Sequence, residues 1–180
     1  DANGSVKLAF NQMHQTTFML TNTISVAPNT QWKLADYYLK PAGSKQVSLG
    51  VFRNLPKSGW EGSVEVYYKL TDHFPEFKDG ADFLSSNPME TMMLQGKQTS
   101  YGVELSVKRS GHKLNGWLAY TYSRSLVNIN GKDAWSRING GRTYPANYDI
   151  PHAFNGLINY AATRRISLST VVTYQTGRPI

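Results

Sequence analysis

The chain has 180 residues, 40% of them hydrophobic, 12% aromatic and 17% charged, with 19 Lys and Arg against 12 Asp and Glu and no cysteine. Disulfide scaffolds, cysteine zinc centres and thiol catalysis are excluded. So is a helical membrane protein, because no apolar run approaches the ~20 residues a spanning helix needs. The net charge of +7 is scattered rather than gathered into the basic block of a nucleic-acid-binding arm, so no nucleic-acid partner is expected.

Taken in chain order, the apolar residues recur with period two. Val6, Leu8 and Phe10 alternate over 5–11, and a long connection over 12–45 follows. Val47, Leu49 and Val51 predict a strand over 46–53, and a short turn at 55–59 leads to Val64, Val66, Tyr68 and Leu70 over 62–70. The next connection, 71–100, is long. Within it, Asn87, Pro88 and Glu90 have the form of a helix start before Met92, Met93 and Leu94, although a strand reaching out of the loop and ending in Gly96 is preferred. Tyr101, Val103, Leu105 and Val107 alternate over 101–109. After a tight turn at 110–113, Leu114, Leu118, Tyr120 and Tyr122 do the same over 114–123. A third long connection, 124–152, precedes Phe154, Ile158 and Tyr160. A turn at 163–165 leads to Ile166, Leu168, Val172 and Tyr174.

Seven strands joined alternately by tight turns and long loops describe an all-β, antiparallel up-and-down meander. A strand of ~10 residues tilted by ~40° covers about 25 Å of membrane normal, so the meander has the dimensions of part of a transmembrane β-barrel. The interleaved face carries Ser63, Glu65, Tyr67 and Lys69, then Gly102, Glu104, Ser106 and Lys108, the composition of a wet lumen wall. With the long loops placed uppermost, Tyr68, Tyr101, Tyr120, Tyr122, Phe154 and Tyr174 fall on the apolar face near that end, as an interfacial aromatic girdle would. Alternation does not say which face is inside. A soluble β-sandwich or barrel binding module, taking carbohydrate on exposed Trp and Tyr, therefore stands as the alternative.

Enzyme signatures are absent, and no catalytic residue, cofactor or metal site is expected. His14, His73, His112 and His152 stand singly, and His152 is read as ordering a loop. Asp72, Glu76, Asp79 and Asp82 match no calcium loop and read as solvated or paired with Lys78. Glu65, Lys69, Glu104 and Lys108 share the polar face. They either dock a plug and line a path, or set strand register by cross-strand pairing. Trp135, Arg137 and Arg142 form a loop constellation for a ligand, with loop packing as the plainer reading.

The order Tyr101-Gly102-Val103-Glu104-Leu105, Lys108, Gly111, Lys113-Leu114, Gly116, Tyr120-Thr121-Tyr122-Ser123, Tyr144-Pro145-Ala146, Tyr148-Asp149, Pro151-His152 and Tyr174-Gln175-Thr176-Gly177-Arg178-Pro179 resembles the barrel of TonB-dependent outer-membrane receptors. Trp32, Lys40-Pro41, Leu49-Gly50 and Glu65-Val66-Tyr67-Tyr68-Lys69 extend the likeness upstream. The nearest subset is the one preceded by a carboxypeptidase-regulatory-like domain. The resemblance implies an outer-membrane location and a single barrel segment over 1–180, without plug or TonB box. Outer-membrane lipid, the parent's plug, TonB and a surface lipoprotein are the implied partners. Seven strands are too few to enclose a plugged pore, so the segment alone is expected neither to close nor to transport.

Overall fold

The computed structural model describes residues 3–20, 31–79, 81 and 89–179. Its strands are β1 (Gly4–Gln15), β2 (Thr17–Leu20), β3 (Gln31–Leu34), β4 (Ala42–Leu55), β5 (Trp60–Phe77), β6 (Met93–Arg109), β7 (Leu114–Asn128), β8 (Tyr144–Pro145), β9 (His152–Ala161) and β10 (Ser167–Gln175). Seven of them form the predicted meander, paired antiparallel in the order β1-β4-β5-β6-β7-β9-β10, with β8 added to β7 and β2 paired with β3 apart. Within the described residues β1 and β10 are the two open edges, and their residues are exposed throughout.

The strands outrun the expected spans. β5 continues to Phe77, β6 begins at Met93 and β7 reaches Asn128, so much of each long connection is ladder rather than loop. The helix reading at Met89 survives only as a single 3-10 turn, Met89–Met92, and the strand that follows runs through Gly96 instead of ending there. Asn87 and Pro88 lie outside the described residues.

Two of the tight turns close as their residues suggest. Ser58 donates its backbone N–H (3.0 Å) and its hydroxyl (3.1 Å) to the Leu55 carbonyl, and Thr163 accepts from the N–H groups of Arg165 and Ile166 on its hydroxyl. Gly59 turns with φ 67°, and a Cβ there would meet the Ser110 carbonyl oxygen at 2.1 Å, so the position demands glycine.

The apolar face is the open one. In β4 and β5, Val47, Leu49, Val51, Val64, Val66, Tyr68 and Leu70 are exposed, whereas the interleaved Gln46, Ser48, Glu65, Tyr67 and Lys69 are half-buried. Contacts run mainly between hydrogen-bonded neighbours, so no second layer covers either face among the described residues. In a single layer that asymmetry is what curvature produces, with polar side chains on the inside of the bend. Buried apolar clusters occur instead at the long-loop end. Phe18, Leu39 and Ala42 form one, and Val127, Ile129, Ile138 and Ala146 form the other. Asp36 turns Leu39 inward by accepting from the N–H groups of Tyr38 (2.9 Å) and Leu39 (2.8 Å). The bond from Leu39, with Lys33 at 3.1 Å, holds its carboxyl below the usual range.

Gly102 shows how tightly the inner face is built. It is buried, and a Cβ there would stand 2.6 Å from the Tyr122 carbonyl oxygen and 2.8 Å from the Tyr67 ring. Gly102→Val is expected to destabilise the sheet by about 1–3 kcal/mol in urea unfolding. Tyr67→Ala in the same chain should not restore stability, because the nearer obstacle is backbone.

Candidate functional site

At the long-loop end the polar face gathers into a row. Ser44 lies opposite Thr71, Thr71 opposite Gln98 and Gln98 opposite Val127, which sets three polar side chains at one level across β4, β5 and β6. All three are buried, with exposures of 9%, 8% and 7%. They line part of a cavity of ≈ 610 Å³ whose walls include His14, Phe18, Lys69, Phe74, Glu76 and Tyr148. Apolar walls with a few convergent polar groups are the usual character of a ligand pocket.

Gln98 is the centre of the row. Its Nε2 donates to the Ser125 hydroxyl at 2.8 Å and to the Tyr148 hydroxyl, while the Ser100 and Ser125 hydroxyls lie 3.1 Å apart. Burial pushes the Glu76 carboxyl above its ordinary value against the Phe77 N–H bond that lowers it. Burial also raises the phenols of Tyr144 and Tyr148, and the Glu76 charge adds to both. Of these groups, Glu76 and Tyr148 line the cavity, and burial disfavours the ionised form of each.

One wall of this site is held by a carboxylate doing the work of a strand. β7 extends to Asn128, but β9 begins opposite Tyr122, which leaves the upper edge of β7 without a long neighbour. The connection 129–151 folds back to cover it. Ser123 N–H donates to the Pro151 carbonyl (3.0 Å), Ser125 N–H to Asp149 Oδ1 (2.7 Å), and Ala146 N–H to the Ser125 carbonyl (2.8 Å). Asp149, 3% exposed, also pairs with Arg124 at 3.0 Å. His152 anchors the lower end through Nδ1, 2.8 Å from the Tyr120 hydroxyl, and through its main chain, bonded both ways to Thr176. These bonds tie the start of β9 to β7 and to Thr176 just after β10.

Of the polar-face charges, Glu65 and Lys69 are half-buried, and Glu104 and Lys108 are exposed. Register places Glu65 directly opposite Glu104 and Lys69 opposite Ser100. Lys108 pairs with Glu61 at 3.6 Å, an exposed pair of small worth. Trp135, Arg137 and Arg142 share one connection but do not converge through any ring or cation contact. Trp135 is 73% exposed, and Arg137 is committed to the carbonyls of Gly131 (2.9 Å) and Lys132 (2.8 Å). Asp72, Glu76 and Asp79 form no metal-binding group among the described residues, and Asp82 lies outside them. Lys78 donates to the Thr91 carbonyl at 3.2 Å. The Ser44-Thr71-Gln98 row escaped the sequence reading because its members align only through register. The period-two polar positions were the one signal present.

Residues 8–178 match the family model described as TonB dependent receptor-like, beta-barrel. No curated protein and no solved structure matches the chain.

Proposed function

The chain belongs to the TonB-dependent receptor-like β-barrel family, and from that premise we propose that it forms part of the wall of an outer-membrane receptor whose parent takes up a ligand with energy delivered through TonB. The observation that carries this reading is the inverted burial. Apolar side chains of β4 and β5 face outward and uncovered, while the polar ones are sheltered. A soluble sandwich needs the reverse, whereas a bilayer supplies the missing apolar surroundings.

In this reading the chain is a transporter segment and not an enzyme, and the ≈ 610 Å³ cavity faces the incoming ligand at the cell surface. On the same reading Trp135, Arg137 and Arg142, on the connection that follows β7, meet the incoming ligand, with the exposed Trp135 ring stacking on it. Glu65 and Glu104 repel each other across the strands, so attraction between them does not set the register. A cation from the parent's plug facing the two carboxylates accounts for their presence on one wall, with Lys69 further toward the long-loop end and Lys108 toward the turn end. The motif order supports a parent with a carboxypeptidase-regulatory-like N-terminal domain, and a surface lipoprotein is a further proposed partner.

The test is gel mobility of the full-length receptor in isolated outer membranes after alkaline carbonate extraction. Retention in the membrane, with a band that shifts on boiling, is the expected result. Release into the wash without a shift would overturn the reading in favour of a soluble module.

A further inference from the structure

An asparagine followed by glycine is a place where a chain can modify itself, because no side chain shields the glycine nitrogen from the asparagine Cγ. The chain has five such pairs, beginning at Asn3, Asn115, Asn130, Asn139 and Asn155. The reaction needs an exposed asparagine, a following N–H that is not bonded, and a backbone able to turn until Cγ meets that nitrogen. The fold withholds these conditions from four of the pairs. Gly4, Gly116 and Gly156 are fixed in the ladders of β1, β7 and β9. A Cβ at Gly116 would stand 2.2 Å from the Leu157 carbonyl oxygen, and one at Gly156 would stand 2.5 Å from the Leu118 side chain. Asn115 is held further by Asn159, whose Nδ2 donates to its Oδ1 at 3.0 Å. Gly131 N–H donates to the Ser136 carbonyl (3.1 Å), and a Cβ there would lie 2.1 Å from the Ser136 hydroxyl.

Asn139 meets all three. Asn139 and Gly140 are exposed, and apart from its chain neighbours nothing lies within 4 Å of a Cβ built on Gly140. The bonds of this 3-10 turn pass the nitrogen by. Gly141 N–H donates to the Ile138 carbonyl (2.9 Å) and Arg142 N–H to the Asn139 carbonyl (3.1 Å), while Gly140 N–H makes no bond among the described residues. The backbone is left-handed at both positions, with φ 52° at Asn139 and 62° at Gly140, a conformation that asparagine tolerates and glycine adopts freely. The turn also fastens the connection after β7. Asn139 N–H reaches Asp79 Oδ2, just beyond β5, at 3.4 Å, and the Gly141 carbonyl accepts from Asn128 Nδ2 at 2.9 Å. Ile138 is buried with Val127, Ile129 and Ala146.

We propose that Asn139-Gly140 is a self-modification site, at which the Gly140 nitrogen closes on Asn139 Cγ and the product loosens the connection 129–151 from the wall. The N–Cγ bond forms as the amide nitrogen gives up its proton, and the Cγ–Nδ2 bond breaks as Nδ2 leaves as ammonia, giving a cyclic succinimide. Water then opens the ring. Cleavage between the ring nitrogen and Cγ yields aspartate, and cleavage between that nitrogen and the main-chain carbonyl yields isoaspartate, whose chain runs on through Cβ and Cγ. Water enters, ammonia leaves, and nothing is oxidised or reduced. Either product sets a carboxylate beside Asp79, which repels it. Isoaspartate also lengthens the main chain and turns the carbonyl that accepts from Arg142 into a free carboxylate, so the turn no longer closes as before.

The test is incubation of the folded full-length receptor at physiological temperature, followed by peptide mapping and labelling of isoaspartate with its methyltransferase. Asn139 should convert at least about tenfold faster than Asn130, where a hydrogen bond must open first. Asn115 and Asn155 should lag as well. In concentrated urea the lead of Asn139 should vanish, since the fold and not the dipeptide selects it. Equal rates in the folded protein, or a lead that persists unchanged in urea, would overturn the proposal. The consequence is read by limited proteolysis of fresh and aged protein beside Asn139→Gly, which keeps the left-handed turn and lacks the reactive amide. Aged protein should be cut within 129–151 faster than fresh, and the variant should be cut at the same rate throughout. Ageing that speeds cleavage of the variant equally, or of neither protein, would show that modification at Asn139 does not loosen the connection.

Discussion

Leu105→Lys is expected to remove most of the assembled receptor from the outer membrane, whereas Thr121→Lys is expected to leave it in place. Leu105 lies midway along the outward set of β6, opposite Val64 on one side and Tyr120 on the other, and is 40% exposed. If its surroundings are hydrocarbon, a lysine there costs about 2–4 kcal/mol, a large share of the stability of any such domain. Thr121 is on the neighbouring strand but on the polar face, directly opposite Glu104, where an ammonium meets water and a carboxylate. Its replacement should stay within about 0.5 kcal/mol. Heat-dependent gel mobility and denaturant unfolding in vesicles measure both. Equal tolerance at the two positions would show that the apolar face does not meet lipid.

Asp149→Ala should open the upper wall without dissolving the barrel. The side chain is 2% exposed and replaces two missing interactions of β7, the bond to Ser125 N–H and the charge facing Arg124. Breaking a buried pair costs about 3–5 kcal/mol, reduced here because Arg124 is 31% exposed and can turn to water. The expected readout is faster amide exchange at Ser123 and Ser125 and protease cleavage within 129–151, with the boiling-dependent shift kept. Asp149→Asn preserves an acceptor for Ser125 and should fall between the two. Unchanged exchange at Ser125 would mean that the carboxylate does not seal the edge.

The two sites differ in how far they could be read before the fold was known. The outward residues of β5 and β6 were legible because Val64, Val66, Tyr68 and Leu70 contrast with their neighbours. Beyond the apolar band that contrast vanishes. Over 71–77 and 93–100 both faces carry polar and apolar residues alike, although the backbone goes on pairing from Thr71↔Gln98 to Phe77↔Met93. Asp149 was visible as part of the Tyr148-Asp149 motif, but its task depends on where β9 begins relative to the end of β7. That is a register property absent from any local pattern. Ser44, Thr71 and Gln98 are separated by long stretches of chain and become a site only through two ladders.

The alternation of tight turns with long connections also bears on the order in which the wall assembles. Each strand of the meander finds its partner next in sequence, and the turn over 56–59 asks for far less chain closure than the connection over 129–151. The difference in length is roughly two and a half doublings, or about 1.5 kcal/mol of closure entropy. Pairs β4–β5, β6–β7 and β9–β10 are therefore the early units. The short Ser110 N–H to Gly59 carbonyl bond (2.8 Å) joins the first two of these at their turn ends. Assembly would then proceed as hairpins docking edge to edge, with the long connections, where the candidate site lies, ordering last.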